Sequence, residues 1–191
     1  DLESLNKTGM SKQIKNYAKK GGNIFGICGG FQMLGESLED PHNRESFNNQ
    51  STLSYHGMKL LPIKTIFEEK KHTSQREDII SWPEIKKVKG FEMHYGQSFL
   101  ITEDRYNIYS LFKNTSLGWV LEKKDKSFIG GSYLHGIFEN NAWRQAWINK
   151  IRKKKGLSKL TYNIENTANR RERLLDLLAE SFEKNINLDK G

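Results

Sequence analysis

At 191 residues, with 36% hydrophobic and 11% aromatic content, the chain has the apolar surface for one buried core and too little length for two ordinary domains, so a single domain over 1–191 is expected. No run approaches the ~20 apolar residues of a membrane span, and the first residues lack the apolar stretch of a signal peptide; this predicts a cytoplasmic protein with no membrane partner. The net charge of +8 invites a nucleic-acid partner, but the basic residues lie in short runs such as Lys19-Lys20, Lys70-Lys71 and Lys153-Lys154-Lys155, beside acids and without a zinc-ligand or aromatic RNA-binding pattern, so they read as solvated faces and no nucleic-acid partner is expected.

The chain opens on Asp1, inside a polar helix-like segment, which predicts further sequence upstream. Met10, Ile14, Tyr17 and Ala18 follow at helical spacing, with Gly21-Gly22 as a stop signal. The apolar run from Asn23 to Ile27 predicts a buried strand. After it come Cys28-Gly29-Gly30 and a second helix-like stretch, Phe31 to Leu38. Helix, strand, tight turn and helix in that order predict an α/β unit built on a parallel sheet.

Asp40 to His56 is polar and rich in Asn and Ser, which predicts a long surface loop. Strand-like alternation recurs over Met58 to Phe67, Val88 to Ile101, Ile108 to Phe112, Gly118 to Glu122 and Ser127 to Leu134. Between the first two, the charged stretch Glu68 to Glu84 reads as irregular. Ala142 to Lys155 predicts a helix with Trp143, Ala146, Trp147 and Ile151 on one face, Asn140 or Asn141 as N-cap and Gly156 just past its end. A last helix from about Thr167 to Phe182 carries Leu174, Leu178 and Phe182 on one stripe.

Gly26-Ile27-Cys28-Gly29-Gly30 has the form G-x-C-x-G between a strand and a helix, the cysteine counterpart of the nucleophile elbow. Glycines let the backbone turn sharply, so that the apical side chain stands clear of the sheet. A helix starting after Cys28 favours the thiolate, and the Gly29 amide is placed to hold an oxyanion. Cys28 is the only cysteine, so no intramolecular disulfide forms and a reducing compartment is the natural reading. A buried cysteine at a glycine-rich turn is the plain alternative, and the elbow outweighs it. Of five histidines, His42, His56 and His72 lie in polar or charged segments and read as surface residues, which leaves His94 and His135 better placed. His135 ends a strand-like run and is followed by Gly136, which projects it toward the crevice at a sheet edge and makes it the leading general base.

The stretches GICGGFQMLGESLEDP, GFEMHYGQS and GGSYLHGIFENNAWRQAWINKIRKKKG, with the tail ANRRERLLDLLAESFEKNINLD, resemble the motifs of the class I glutamine amidotransferase domain of the cobyric acid synthase family. The resemblance implies a flavodoxin-like α/β sheet flanked by helices, lacking here its first strand and a loop with a second oxyanion donor. It implies that Cys28 attacks the side-chain amide of glutamine, forms a γ-glutamyl thioester and releases ammonia, with His135 moving the protons. It also implies an N-terminal domain, absent from these residues, that binds ATP and magnesium and amidates carboxylates of a corrinoid; no cofactor or metal is expected in this domain itself.

Where most class I amidotransferases place an acid two residues after the histidine, this chain has Ile137, so a Cys-His dyad is implied, with Glu139 as the nearest carboxylate in sequence. Gln32, one helical turn past Cys28, is placed either at the glutamine site or as plain helix polarity. Glu92 and His94 share one face of a strand, and in the resembling family this stretch lies by the active site; a buried hydrogen-bonded pair explains them as well. A sister amidotransferase, of the cobyrinic acid a,c-diamide synthase or lipid II isoglutaminyl synthase kind, and a noncatalytic interaction module of the same fold are the alternatives.

Overall fold

The computed structural model describes residues 1–44, 54–101, 107–113, 115–161 and 167–185. In chain order the elements are α1 (Leu2–Lys7), α2 (Met10–Lys19), β1 (Ile24–Ile27), α3 (Gly29–Met33), β2 (Ser37–Glu39), β3 (Ser54–His56), β4 (Ile63–Ile80), β5 (Lys86–Leu100), β6 (Ile108–Ser110), β7 (Gly118–Glu122), β8 (Phe128–Ser132), a 3-10 turn (Ile137–Glu139), α4 (Asn141–Lys154) and α5 (Thr167–Asn185). They form an α/β fold. Instead of the single parallel sheet expected from the strand–turn–helix order, the strands make two four-stranded sheets, ordered β1-β8-β7-β6 and β3-β2-β4-β5. Each has one parallel pair, β1 with β8 and β2 with β4, and is otherwise antiparallel.

The sheet that carries β1 is covered on both faces. Strand β8 reads Phe-Ile-Gly-Gly-Ser and is buried at every position. Its Gly131 admits the ring of Phe31, since a Cβ there would come within 2.5 Å of it; α3 thereby lies directly on the strand beside β1. On the opposite face α4 presents Trp143, fully buried, whose indole N–H donates to the carbonyl of Trp82 at 2.8 Å and whose ring meets Phe25 and Phe138. The second sheet joins the first through backbone pairing of Ile80 with Phe112 and of Phe91 with His135.

Three local expectations are corrected. The charged segment Glu68 to Glu84 is not irregular: β4 runs through it to Ile80 and pairs with β5 as a long hairpin, with a register shift between Phe67 and His72. Its middle is exposed on both faces, so charges satisfy both sides and the alternation that marks a half-buried strand is missing. The helix expected over Phe31 to Leu38 stops at Met33. There the carbonyls of Met33, Leu34 and Gly35 accept the amides of Met58 to Leu61, and the Glu36 amide joins Ile63, which starts β2 beside β4. For the same reason the strand expected from Met58 begins only at Ile63, because Met58 to Leu61 serve as the cap of α3. Most of the predicted loop over Asp40 to His56 lies outside the described residues; its end, Ser54–His56, is the edge strand β3.

Other features follow the expectation. α4 starts at Asn141, with Asn140 in the N-cap position, and Gly156 adopts φ 69° just beyond its C-terminus. The Asn140 side chain, however, bonds the backbone of Lys89 in both directions and does not cap the helix. α5 carries the predicted stripe, and Leu174, Leu175, Leu177, Leu178 and Phe182 all stand more than half exposed. Among the described residues no helix is long and apolar enough to cross a membrane.

Candidate active site

Strand β1 delivers Cys28 to the edge of its sheet. The Cys28 amide continues the parallel ladder by donating to the Ser132 carbonyl at 2.9 Å, and the chain then reverses through φ 51°, ψ −114° at Cys28. A positive φ at a residue with a Cβ costs on the order of 1–3 kcal/mol and persists only where the surroundings enforce it. Gly26 makes room for the turn: a Cβ at Gly26 would lie 2.6 Å from the Gly30 carbonyl group and the Phe31 nitrogen, so only glycine lets α3 fold back so tightly. The first backbone bond of α3 runs from the Gln32 amide to the Cys28 carbonyl at 3.1 Å, which leaves the Gly29 and Gly30 amides without an intrahelical acceptor. Beyond both glycines the space is open, with no heavy atom within 4 Å of where a Cβ would stand. With only five residues, α3 has a small macrodipole, so the local amides rather than the expected helix dipole are the positive groups near the sulfur.

His135 follows β8 by three residues, and β8 is the parallel neighbour of β1, in register Ile27 to Ser132. Cys28 and His135 therefore leave the same edge of the sheet from adjacent strands. Strand β5 crosses both. The His135 amide donates to the Phe91 carbonyl at 2.8 Å and the Phe91 amide to the His135 carbonyl at 3.2 Å, while the Met93 carbonyl lies 3.8 Å from the Cys28 sulfur. The imidazole lies flat on the Phe91 ring, with centroids 4.9 Å apart and 9° between planes. Its Nε2 is buried and has no hydrogen-bond partner among the described residues. Glu139 stands exposed at the end of the 3-10 turn, and no carboxylate among the described residues bonds the imidazole.

The remaining sequence-predicted residues lie beneath this edge. Gln32, Glu92 and His94 are all buried, at 6%, 3% and 8% exposure, and each is bonded to neighbouring side chains. Gln32 Nε2 donates to the Tyr133 hydroxyl at 3.2 Å; that hydroxyl also meets Ser98 Oγ at 2.7 Å, which meets Thr65 Oγ1 at 2.8 Å. His94 stacks on Tyr133 with centroids 3.8 Å apart, and its Nδ1 donates to the Gly96 carbonyl at 2.7 Å. Glu92 pairs with Arg76, whose Nε donates to it at 2.7 Å, and lies 3.4 Å from His94 Nε2. Burial holds His94 below its ordinary range, against the opposing pull of the Gly96 carbonyl and of Glu92. Burial likewise pushes the Tyr133 hydroxyl up to about 12, although Ser98 and Gln32 bond it, and the Cys28 sulfur is close enough to add to the rise.

Phe91, Tyr133, Ser98 and Arg76 do not stand out in the sequence. The alternation of Gly90 to Tyr95 does contain one signal: Phe91 and Met93 occupy the face opposite Glu92 and His94, and large apolar residues on that face need a neighbour to explain them.

A strand–turn–helix elbow with a positive-φ cysteine, beside a parallel strand with a histidine three residues past its end, is the architecture of the class I glutamine amidotransferases. The chain belongs to the CobB/CobQ-like glutamine amidotransferase domain family, whose sequence pattern matches residues 1–143. It is 70% identical over 189 residues to cobyric acid synthase of Prochlorococcus marinus strain NATL2A, and 44% identical over 190 residues to that of strain MIT 9313. Both alignments take in 99% of this chain and 38% of the relative, so the chain spans well under half the length of the curated relatives it matches.

Proposed function

We propose that this chain hydrolyses glutamine through Cys28 and His135, and that the ammonia serves ATP-dependent amidation of corrinoid carboxylates, taking adenosylcobyrinic acid a,c-diamide to adenosylcobyric acid. The observation that carries the reading is the pairing of a positive-φ cysteine at the exit of β1 with a histidine at the same end of the parallel strand β8. The site supplies the glutaminase half. ATP and magnesium belong to a synthetase domain outside residues 1–191, and no step below involves them. A lone thiol that has to stay reduced suits a cytoplasmic enzyme.

His135 takes the Cys28 proton, and the thiolate attacks the side-chain amide carbon of glutamine. A C–S bond forms and the carbonyl oxygen takes the negative charge, facing the amide of Gly29. Collapse breaks the C–N bond; His135 returns its proton to the leaving nitrogen, and ammonia departs, leaving a γ-glutamyl thioester. Water then attacks the thioester as His135 accepts its proton, and the C–S bond breaks to release glutamate and regenerate the thiol. The carbonyl of Met93 beside the sulfur bears on the resting state, since it accepts a thiol S–H and repels a thiolate.

The test uses the full-length protein. Cys28→Ala is expected to abolish glutamine-dependent amidation and leave ammonia-dependent amidation largely intact, because external ammonia bypasses only the thioester steps. A diazo-ketone glutamine analogue is expected to label wild type and not Cys28→Ser, read by intact mass. Equal labelling of both proteins removes Cys28 from the mechanism.

A further inference from the structure

The geometry points to Phe91 as the positioning residue for His135, a flat apolar clamp in the place where an acid usually orients a catalytic histidine. The inference rests on the Cys28–His135 reading above. A general base has to hold one ring nitrogen toward the sulfur, and a carboxylate normally fixes the ring by accepting its other N–H. Among the described residues no carboxylate supplies that hydrogen bond to His135, and the contact that sets the plane of its ring is an aromatic one.

Phe91 and His135 form a directly opposed antiparallel pair that exchanges both backbone hydrogen bonds, at 2.8 and 3.2 Å. In such a pair the two side chains emerge side by side on one face. The rings accordingly lie 4.9 Å apart and 9° from parallel, so rotation of the imidazole about its χ2 drives an edge into the phenyl face. The approach is close because the preceding residue is Gly90: a Cβ there would collide with the His135 carbonyl oxygen and reach the Leu134 side chain at 2.9 Å. Two residues further along the same strand, the Met93 carbonyl sits by the Cys28 sulfur, so a single strand registers both reactive groups.

Core packing does not account for Phe91, which is 40% exposed and contributes little to the interior. The π face also suits both forms of the ring, since an aromatic face attracts a cation lying over it and does not have to be reorganised when His135 takes the thiol proton.

The experiment compares wild type, Phe91→Leu, Phe91→Tyr and His135→Asn in the full-length protein, measuring kcat and KM for glutamine hydrolysis. Phe91→Leu is expected to lower kcat by about 10²-fold with KM within about threefold, and Phe91→Tyr, which keeps the ring, to recover most of that loss. A second readout does not depend on any Phe91 variant folding. The ring-proton NMR signals of His135, assigned by their loss in His135→Asn, are expected upfield in wild type because they lie over the phenyl face. If His135→Asn is inactive while Phe91→Leu keeps wild-type kcat, or if the His135 signals show no upfield shift, the clamp is wrong and the dyad stands. If His135→Asn retains full hydrolysis, dyad and clamp both fall.

Discussion

Replacing Tyr133 by Phe removes one oxygen from the centre of the layer beneath Cys28. The ring is 2% exposed and packs between Phe31 and His94, so phenylalanine keeps those contacts and leaves a gap the size of a hydroxyl. Ser98 retains Thr65 at 2.8 Å, but the buried Gln32 amide loses the acceptor it has at 3.2 Å. Stranding one buried donor costs about 1–3 kcal/mol. For a chain of this length, that lowers Tm by roughly 5 °C. A second effect appears at high pH. The phenol ionises at 10.0 in ordinary surroundings and is pushed up to about 12 in the folded protein, so between those values the unfolded chain has lost a proton that the folded one keeps. Stability is therefore complete below pH 10 and drains as the pH rises toward 12, by up to about 3 kcal/mol for a gap of about two pH units. Urea titrations followed by tryptophan fluorescence, from neutral pH to about pH 11.5, read both effects. Wild type is expected to show the alkaline decline and Tyr133→Phe to start lower and lack it. Parallel alkaline declines in the two proteins, or an unchanged midpoint at neutral pH, refute the reasoning.

Arg76→Ala leaves the Glu92 carboxylate buried without its cation; because the Arg76 side chain is 42% exposed, water relaxes part of the penalty, and a loss of about 2–3 kcal/mol is expected, largely recovered on adding Glu92→Gln, by chemical denaturation. Gly26→Ala places a methyl 2.6 Å from three backbone atoms of the elbow and is expected to cost on the order of 3 kcal/mol, whereas Gly29→Ala and Gly30→Ala, facing open space, are expected to cost far less in the same measurement. His94, facing Glu92, His72, Tyr133 and the Gly96 carbonyl, is held below 6.5 by burial. Its depressed folded-state value means that its stabilisation is complete above 6.5 and is lost as the pH falls from there through the lower folded value. Denaturation midpoints are expected to fall over that range in wild type and to stay flatter in His94→Phe.

The elbow is legible in the sequence because every requirement falls within seven consecutive residues, Ile24 to Gly30: an apolar strand, a glycine within it that admits the returning helix, the cysteine, and two glycines after it. His135 is legible because it closes the strand-like run Ser127 to Leu134 and precedes Gly136, although the strand itself stops at Ser132. The layer beneath is not, because its contacts join residues such as Gln32 and Tyr133, or Thr65 and Ser98, that lie far apart in the chain and meet only after β8 and β5 are in place. The β4–β5 hairpin is hidden for a different reason. From Lys70 to Glu77 its strand is charged and solvated, and what holds it is backbone pairing with β5, which leaves no imprint on hydropathy. The early end of α3 likewise comes from Met58 to Leu61, a partner segment that no local rule links to Met33.

α5 bears on how the unfolding of residues 1–191 would look to different spectroscopic probes. Among the described residues it is the longest helix, at 19 residues, and all its described side chains are exposed, so local propensity and pairs such as Lys184 with Glu180 contribute more to it than core packing does. All four tryptophans, Trp82, Trp119, Trp143 and Trp147, lie in the packed body. On heating, far-UV circular dichroism should therefore lose amplitude gradually as α5 frays, well before the tryptophan emission shifts in one cooperative step. The two curves would disagree without any folding intermediate in the body, and a single Tm drawn from dichroism alone would describe neither unit.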